Sequence, residues 1–149
     1  MKARLWYESD PNRLVLEYLR VVRLERGFVL RQFADRRLYW LGQVHDIPAG
    51  VEACPMKFGI VYRDAFPAEP PTVWVLEPEL NPSEWGHEWH RWLPGNVCYV
   101  RPRNWNVGTT ADEIIQKVAD WYFNYTARKA GLSPTMADYG RISLETSRD

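Results

Sequence analysis

Several things are scarce in this chain, and each scarcity excludes something. Only two of the 149 residues are cysteine, Cys54 and Cys98. They could form at most one disulfide, too few for a disulfide-stapled scaffold, and they lack the Cys-x-x-Cys spacing of a metal site. No apolar run approaches the length of a membrane span, so no membrane partner is expected. The opening "MKARLWYESDP" has no apolar leader stretch, which makes the expected location cytoplasmic. Charge of either sign is not in excess: 19 basic residues balance 19 acidic ones. Without a basic field, nucleic acid is not an expected partner. Lysine is rare. Lys2, Lys57, Lys117 and Lys129 are the only four, so nearly all the positive charge is arginine.

What is present is ample for one core. The chain is 46% hydrophobic and carries 8 Trp, 8 Tyr and 5 Phe, a composition for a single globular domain and not for a disordered chain. Asp10-Pro11 is a helix start, a capping carboxylate followed by proline in the first turn. Leu14, Tyr18, Val21 and Val22 then recur at helical spacing, and the pattern predicts a helix over about 11–26, ahead of Gly27. Strands are predicted at 28–33, 37–44, 55–62 and 72–76, the third from the alternation of Met56, Phe58, Ile60 and Tyr62. A capping box, Thr110-x-x-Glu113, opens a long helix whose stripe is Ile114, Ile115, Val118, Trp121, Tyr122 and Tyr125, closed by Gly131. The fold class is therefore α+β: a four-stranded antiparallel meander packed by an N-terminal helix and a long helix. The expected core contains Leu14, Tyr18, Phe58, Ile60, Trp74, Val118 and Trp121. Residues 1–131 form the domain, and 132–149 are a short polar C-terminal extension expected to be irregular and to fray.

Between the fourth strand and the long helix, residues 77–106 show no periodicity. A loop of this length in a small domain is usually functional; its tryptophans suggest an ordered shell. Cys98 lies in it, after Gly95 and before Arg101 and Arg103, cations that favour a thiolate. Residue types leave open whether Cys98 is a nucleophile or an apolar plug. His87 and His90 form His-x-x-His. With a cysteine they would make three zinc ligands only on a helix, which Gly86 and Pro94 disfavour, so no metal is assigned. As a base for Cys98, either histidine would make a Cys–His hydrolase; as a loop brace, neither does chemistry.

The motifs also join in a recognisable order. "FPAEPPTV" (66–73), then "GNVC" (95–98), then Trp105 and the Thr110 helix start resemble the ubiquitin-conjugating enzymes, as does "LYWLGQVHDIPAGVEACPMKFGIVY" (38–62) with its Trp40 and Gly42. The resemblance covers about residues 11–130. It implies a UBC-like fold and a catalytic role for Cys98, which would accept the C-terminus of a ubiquitin-like modifier as a thioester from an activating enzyme. Cys98 would then pass it to an acceptor amine, a lysine, of a protein substrate, with no cofactor of its own. Three departures stand out. The family's His-Pro-Asn triplet is absent, and eight residues before the cysteine, where its asparagine stands, is His90. An imidazole N–H can donate in place of an amide, so His90 is the expected stand-in and second catalytic residue, with Asn96 and Asn104 as alternates; Trp105 and His87 would support the loop. No acidic residue follows the cysteine; "YVRPR" does. Finally, the chain ends soon after the long helix. In this it is similar to bacterial conjugating enzymes encoded in antiphage operons. Few lysines would limit self-modification of a charged enzyme. An alternative is a catalytically inactive UBC-like module that binds a ubiquitin-like protein.

Overall fold

The computed structural model describes residues 4–92, 95–137 and 139–144; Lys2, Pro94 and the end of the C-terminal extension lie outside them. A one-turn helix α1 (Trp6–Ser9) leads into α2 (Pro11–Arg23). Strands β1 (Val29–Gln32), β2 (Leu38–Val44), β3 (Met56–Val61) and β4 (Thr72–Glu77) follow, and α3 (Ala111–Lys129) comes last. The four strands pair in sequence order, each antiparallel to the next. The described residues are thus α+β, with a four-stranded antiparallel meander and three α-helices. Among the described residues no helix is long and apolar enough to cross a membrane.

The start of α2 is as expected: Asp10 accepts from the Arg13 backbone N–H, and Pro11 fills the first turn. The helix ends at Arg23, short of the predicted 26, because Glu25 turns to φ +53° and the chain leaves the helical path. On the sheet, Trp40 pairs with Ile60, Gly42 with Phe58 and Val44 with Met56. A Cβ on Gly42 would overlap the Phe28 ring, so glycine lets that ring settle 5.4 Å from Phe58. Against this face α3 buries Ile114, Ile115, Val118 and Trp121. Its Glu113 carboxylate accepts from the Thr110 N–H at 2.8 Å, one arm of the expected capping box.

Two expected core residues are exposed instead. Tyr18 is 48% exposed and Trp74 37%. On β4 it is Val73 that pairs with Ile60 and points inward; period two sends Trp74 to the other face. On α2 the inward stripe is Leu14, Glu17 and Val21, with Glu17 fully buried. Val15, Leu16, Tyr18, Leu19 and Val22 are left facing outward.

Glu17 is buried because it has work to do there. Its Oε2 accepts from the Ala111 N–H at 3.1 Å, the first turn of α3, and its Oε1 accepts from the Tyr62 hydroxyl at 3.1 Å. Tyr62 in turn accepts from Trp40 Nε1 at 2.8 Å. One carboxyl therefore ties α2, the sheet and the N-terminus of α3 together. Arg13, one turn earlier, donates to the Val107 and Thr109 carbonyls just before α3 and lies over the Phe66 ring. Burial raises the Glu17 carboxyl to about 7, outweighing the Ala111 hydrogen bond and the Arg13 charge that favour the anion.

The sign of the resulting pH dependence follows. Between 4.5 and about 7 the native carboxyl keeps a proton that the unfolded chain has lost, so this group's contribution falls as pH rises through that window and is flat above it. A shift of this size corresponds to about 3 kcal/mol. Glu17→Gln, which cannot ionise, should abolish that slope in denaturant melts taken across the window. Glu17→Ala leaves the Ala111 N–H and the Tyr62 hydroxyl without their acceptor and should cost about 2–4 kcal/mol.

Candidate active site

The aperiodic loop is ordered by a ribbon that doubles back twice. Gly86 and Arg91 exchange backbone hydrogen bonds at 2.7 and 3.2 Å, and Arg91 then bridges to Val97. The ribbon is moored to the sheet where the Val97 N–H donates to the Val73 carbonyl at 2.9 Å. One step along this ladder, the Cys98 N–H donates to the His90 carbonyl at 2.7 Å. Antiparallel pairing is what turns a separation of eight residues into direct apposition. His90 turns the strand with φ +49°, and its side chain is 5% exposed. The segment from His87 to His90 is a turn, not a helix, as Gly86 suggested.

Arg91 holds the ribbon from inside. Only 8% exposed, it donates to the carbonyls of Asn81, Glu84 and Gly95 at 3.2, 2.6 and 3.1 Å. Gly95 is needed beside it: φ is +135°, and a Cβ would lie 2.9 Å from the guanidinium. Buried Glu84 accepts from Tyr125 at 2.8 Å and pairs with Lys129 at 3.0 Å, fastening the loop to α3. Hydrogen bonding to Lys129 and Tyr125, with the Lys129 charge, holds its carboxyl below the usual range despite the opposing effect of burial. Trp121 donates to the Trp89 carbonyl, and Arg128 lies over the Trp89 ring at 3.8 Å. The expected tryptophan shell is therefore built of hydrogen bonds as well as stacking.

Cys98 is half-buried in the wall of a cleft of about 930 Å³, lined also by Trp85, His87, His90, Trp92, Arg101 and Tyr139. Its Sγ is 3.6 Å from the Val100 carbonyl and 3.4 Å from the Tyr139 hydroxyl. Burial raises the thiol pKa; Tyr139, the Val100 backbone and the Arg101 charge oppose it without cancelling it. At neutral pH the resting sulfur is a thiol, and its reactivity rises toward alkaline pH.

His87 and His90 reach the cleft together, their rings 5.2 Å apart. Asn96 does not: it lines a separate groove with Trp92, Val97 and Tyr99. Asn104 is exposed in the short 3-10 turn Pro102–Asn104. Trp105 is half-buried and donates to the Pro67 carbonyl at 2.8 Å, tying the loop to the proline-rich turn before β4. Cys54 is exposed and lies outside the residues lining this cleft. Among the described residues no three His, Cys, Asp or Glu side chains are grouped to hold a metal ion. Two contributors were missed from sequence. Arg91 carried no visible signal beyond its neighbourhood to Gly95. Tyr139 lay in the extension expected to fray, although an aromatic within a polar stretch could have drawn notice.

Comparison with known proteins finds no match: no family model, no curated protein and no solved structure matches the chain.

The ribbon makes a sharp expectation for Arg91. Arg91→Ala leaves the Glu84 and Gly95 carbonyls without their donor, while Asn81 keeps the Glu84 N–H at 3.0 Å, and should destabilise the protein by about 2–4 kcal/mol. Amide hydrogen exchange at Val97 and Cys98 should accelerate more than exchange in α3. Uniform acceleration across the chain would show that Arg91 supports the whole fold and not the ribbon.

Proposed function

We propose that this chain is a ubiquitin-conjugating-type acyltransferase with a UBC-like fold, in which Cys98 carries the modifier. The observation that carries the reading is Cys98 in the wall of an open cleft, paired in register with His90 on an ordered loop after the meander. The element order supports it: helix, four-stranded meander, long loop with cysteine, long helix.

The chemistry needs little else. The Cys98 sulfur attacks the carbonyl carbon of a thioester on the activating enzyme. A new S–C bond forms as the old one breaks, and the Cys98 proton ends on the departing thiol. A substrate lysine then attacks the same carbon; an N–C bond forms, the C–Sγ bond breaks and the amine proton returns to sulfur. Each step passes through an oxyanion, for which the His90 imidazole is the proposed donor. His87 packs against that ring and Trp105 secures the loop. The outward apolar face of α2 is the kind of surface that protein partners cover. A bacterial antiphage setting, acting in the cytoplasm, is part of this proposal.

A second reading, a binding module without catalysis, draws on the raised thiol pKa and on the phenol beside the sulfur. Charging separates the two. With an activating enzyme for ubiquitin-like proteins, its modifier and ATP, wild type should form a reductant-sensitive adduct. Cys98→Ser should form a reductant-resistant one and Cys98→Ala none, with melting unchanged. Absence of any adduct in wild type favours the binding module. His90→Ala should slow both thioester formation and discharge to lysine, the latter by about 100-fold, and His90→Asn should restore both.

A further inference from the structure

The C-terminal extension does not fray over its described part. Met136 is buried, 8% exposed, and packs into the core. Beyond it the buried Asn124 side chain on α3 clamps the chain from both of its polar ends. Its Nδ2 donates to the Gly140 carbonyl at 2.7 Å, and its Oδ1 accepts from the Ile142 N–H at 2.8 Å. Arg141 adds ion pairs to Asp46 and Asp120 at 2.7 and 3.1 Å and lies over the Phe123 ring. Tyr139 sits between these anchors. Its ring packs against His90 on one side, at 5.2 Å, and under the Arg101 guanidinium, at 5.5 Å. Its hydroxyl is 3.4 Å from Cys98 Sγ.

The Cys98 S–H has its own acceptor in the Val100 carbonyl, so a sulfur lone pair is what faces Tyr139. When the thiol ionises its bond to Val100 is lost, whereas the phenol can still donate to the thiolate. We propose that Tyr139, delivered by the C-terminal segment, is a catalytic residue of the Cys98 site: its hydroxyl donates to the sulfur and stabilises the thiolate. That stabilisation would act twice, when the sulfur attacks and again when it departs as the acyl group passes to an amine. This purpose rests on the conjugating function proposed above; the contact itself can be tested without it. Tyr139 is suited to donate, since its hydroxyl is raised to about 12, chiefly by burial, and keeps its proton. The other groups around the sulfur are Arg101, whose charge also favours the thiolate, His90, and Tyr99, whose hydroxyl is committed to the Pro71 carbonyl at 2.6 Å. His87, Arg91 and Arg103 are the other charged or titratable residues lining the cleft.

Alkylation by iodoacetamide reads the thiolate directly and needs no activating enzyme. In the full chain carrying Cys54→Ser, which removes the exposed second thiol, rates would be taken between about pH 6 and pH 10. Tyr139→Phe keeps the ring and removes only the donor. It should move the alkylation profile to higher pH and slow the reaction at pH 8 by about threefold, the lost thiolate being partly offset by its greater nucleophilicity. Asn124→Ala, which frees the segment, removes the donor together with part of the burial that raises the thiol, so it should shift the profile less than Tyr139→Phe, and adding Tyr139→Phe to it should cause little further shift. An unchanged or faster alkylation of Tyr139→Phe would overturn the proposal and make Tyr139 a cover over the sulfur. Failure to form a thioester with a normal alkylation shift would instead count against the conjugating function alone.

Discussion

The buried Glu17 carboxyl is the constraint on which the arrangement rests. A helix of one face could have packed on the sheet with Leu14, Tyr18 and Val21, and a hydrophobic stripe would have sufficed. Instead α2 is rotated so that an acid points inward, because α3 begins in the core and its first N–H groups need an acceptor. The other oxygen of the same carboxyl engages Tyr62, and through it Trp40, so the helix–helix contact and the helix–sheet contact share one group. The cost is a carboxyl that gives up its charge easily. The gain is a fixed start for α3, the helix that carries Trp121, Asn124, Tyr125 and Lys129 to the loop and to the C-terminal segment.

Much of this was readable in advance. Strand order, the Asp10-Pro11 start and the Thr110 start follow from local rules, in which a few residues decide their own conformation. The parity of β4 and the rotation of α2 do not. Both depend on partners distant in sequence: Val73 is inward because Ile60 is opposite, and Tyr18 is outward because Ala111 needs Glu17. The apolar residues on both sides of α2 made the inward face ambiguous by pattern alone. α1 was missed since one turn of helix has no period to detect; only burial of Trp6 reveals its use.

At the site the division is similar. Cys98 and the histidines could be found from residue type and from motif order. Their joint placement needed the ribbon, and the ribbon needed Arg91, whose bonds are to carbonyls and leave no trace in residue identity. Asn96 and Asn104 were chemically suitable alternates but are not among the residues lining the cleft: Asn96 lines a separate groove and Asn104 ends the 3-10 turn. Tyr139 was hidden for another reason. A tail is judged by its composition, and the clamp that orders it belongs to a helix residue, Asn124, whose polarity reads as a surface position until its partners are known.

The pairing of His90 with Cys98 also changes what a motif means here. Their relation is a rung in a ladder that runs on to the pairing of Trp92 with Asn96, and a ladder conserves register, not count. Two residues added to the turn between Trp92 and Asn96 would lengthen the interval from eight to ten while keeping the same rung. One residue added would keep the interval nearly intact yet swing one side chain to the opposite face. A search that counts eight positions upstream of the cysteine would reject both chains, whereas the first keeps the rung and with it the chemistry.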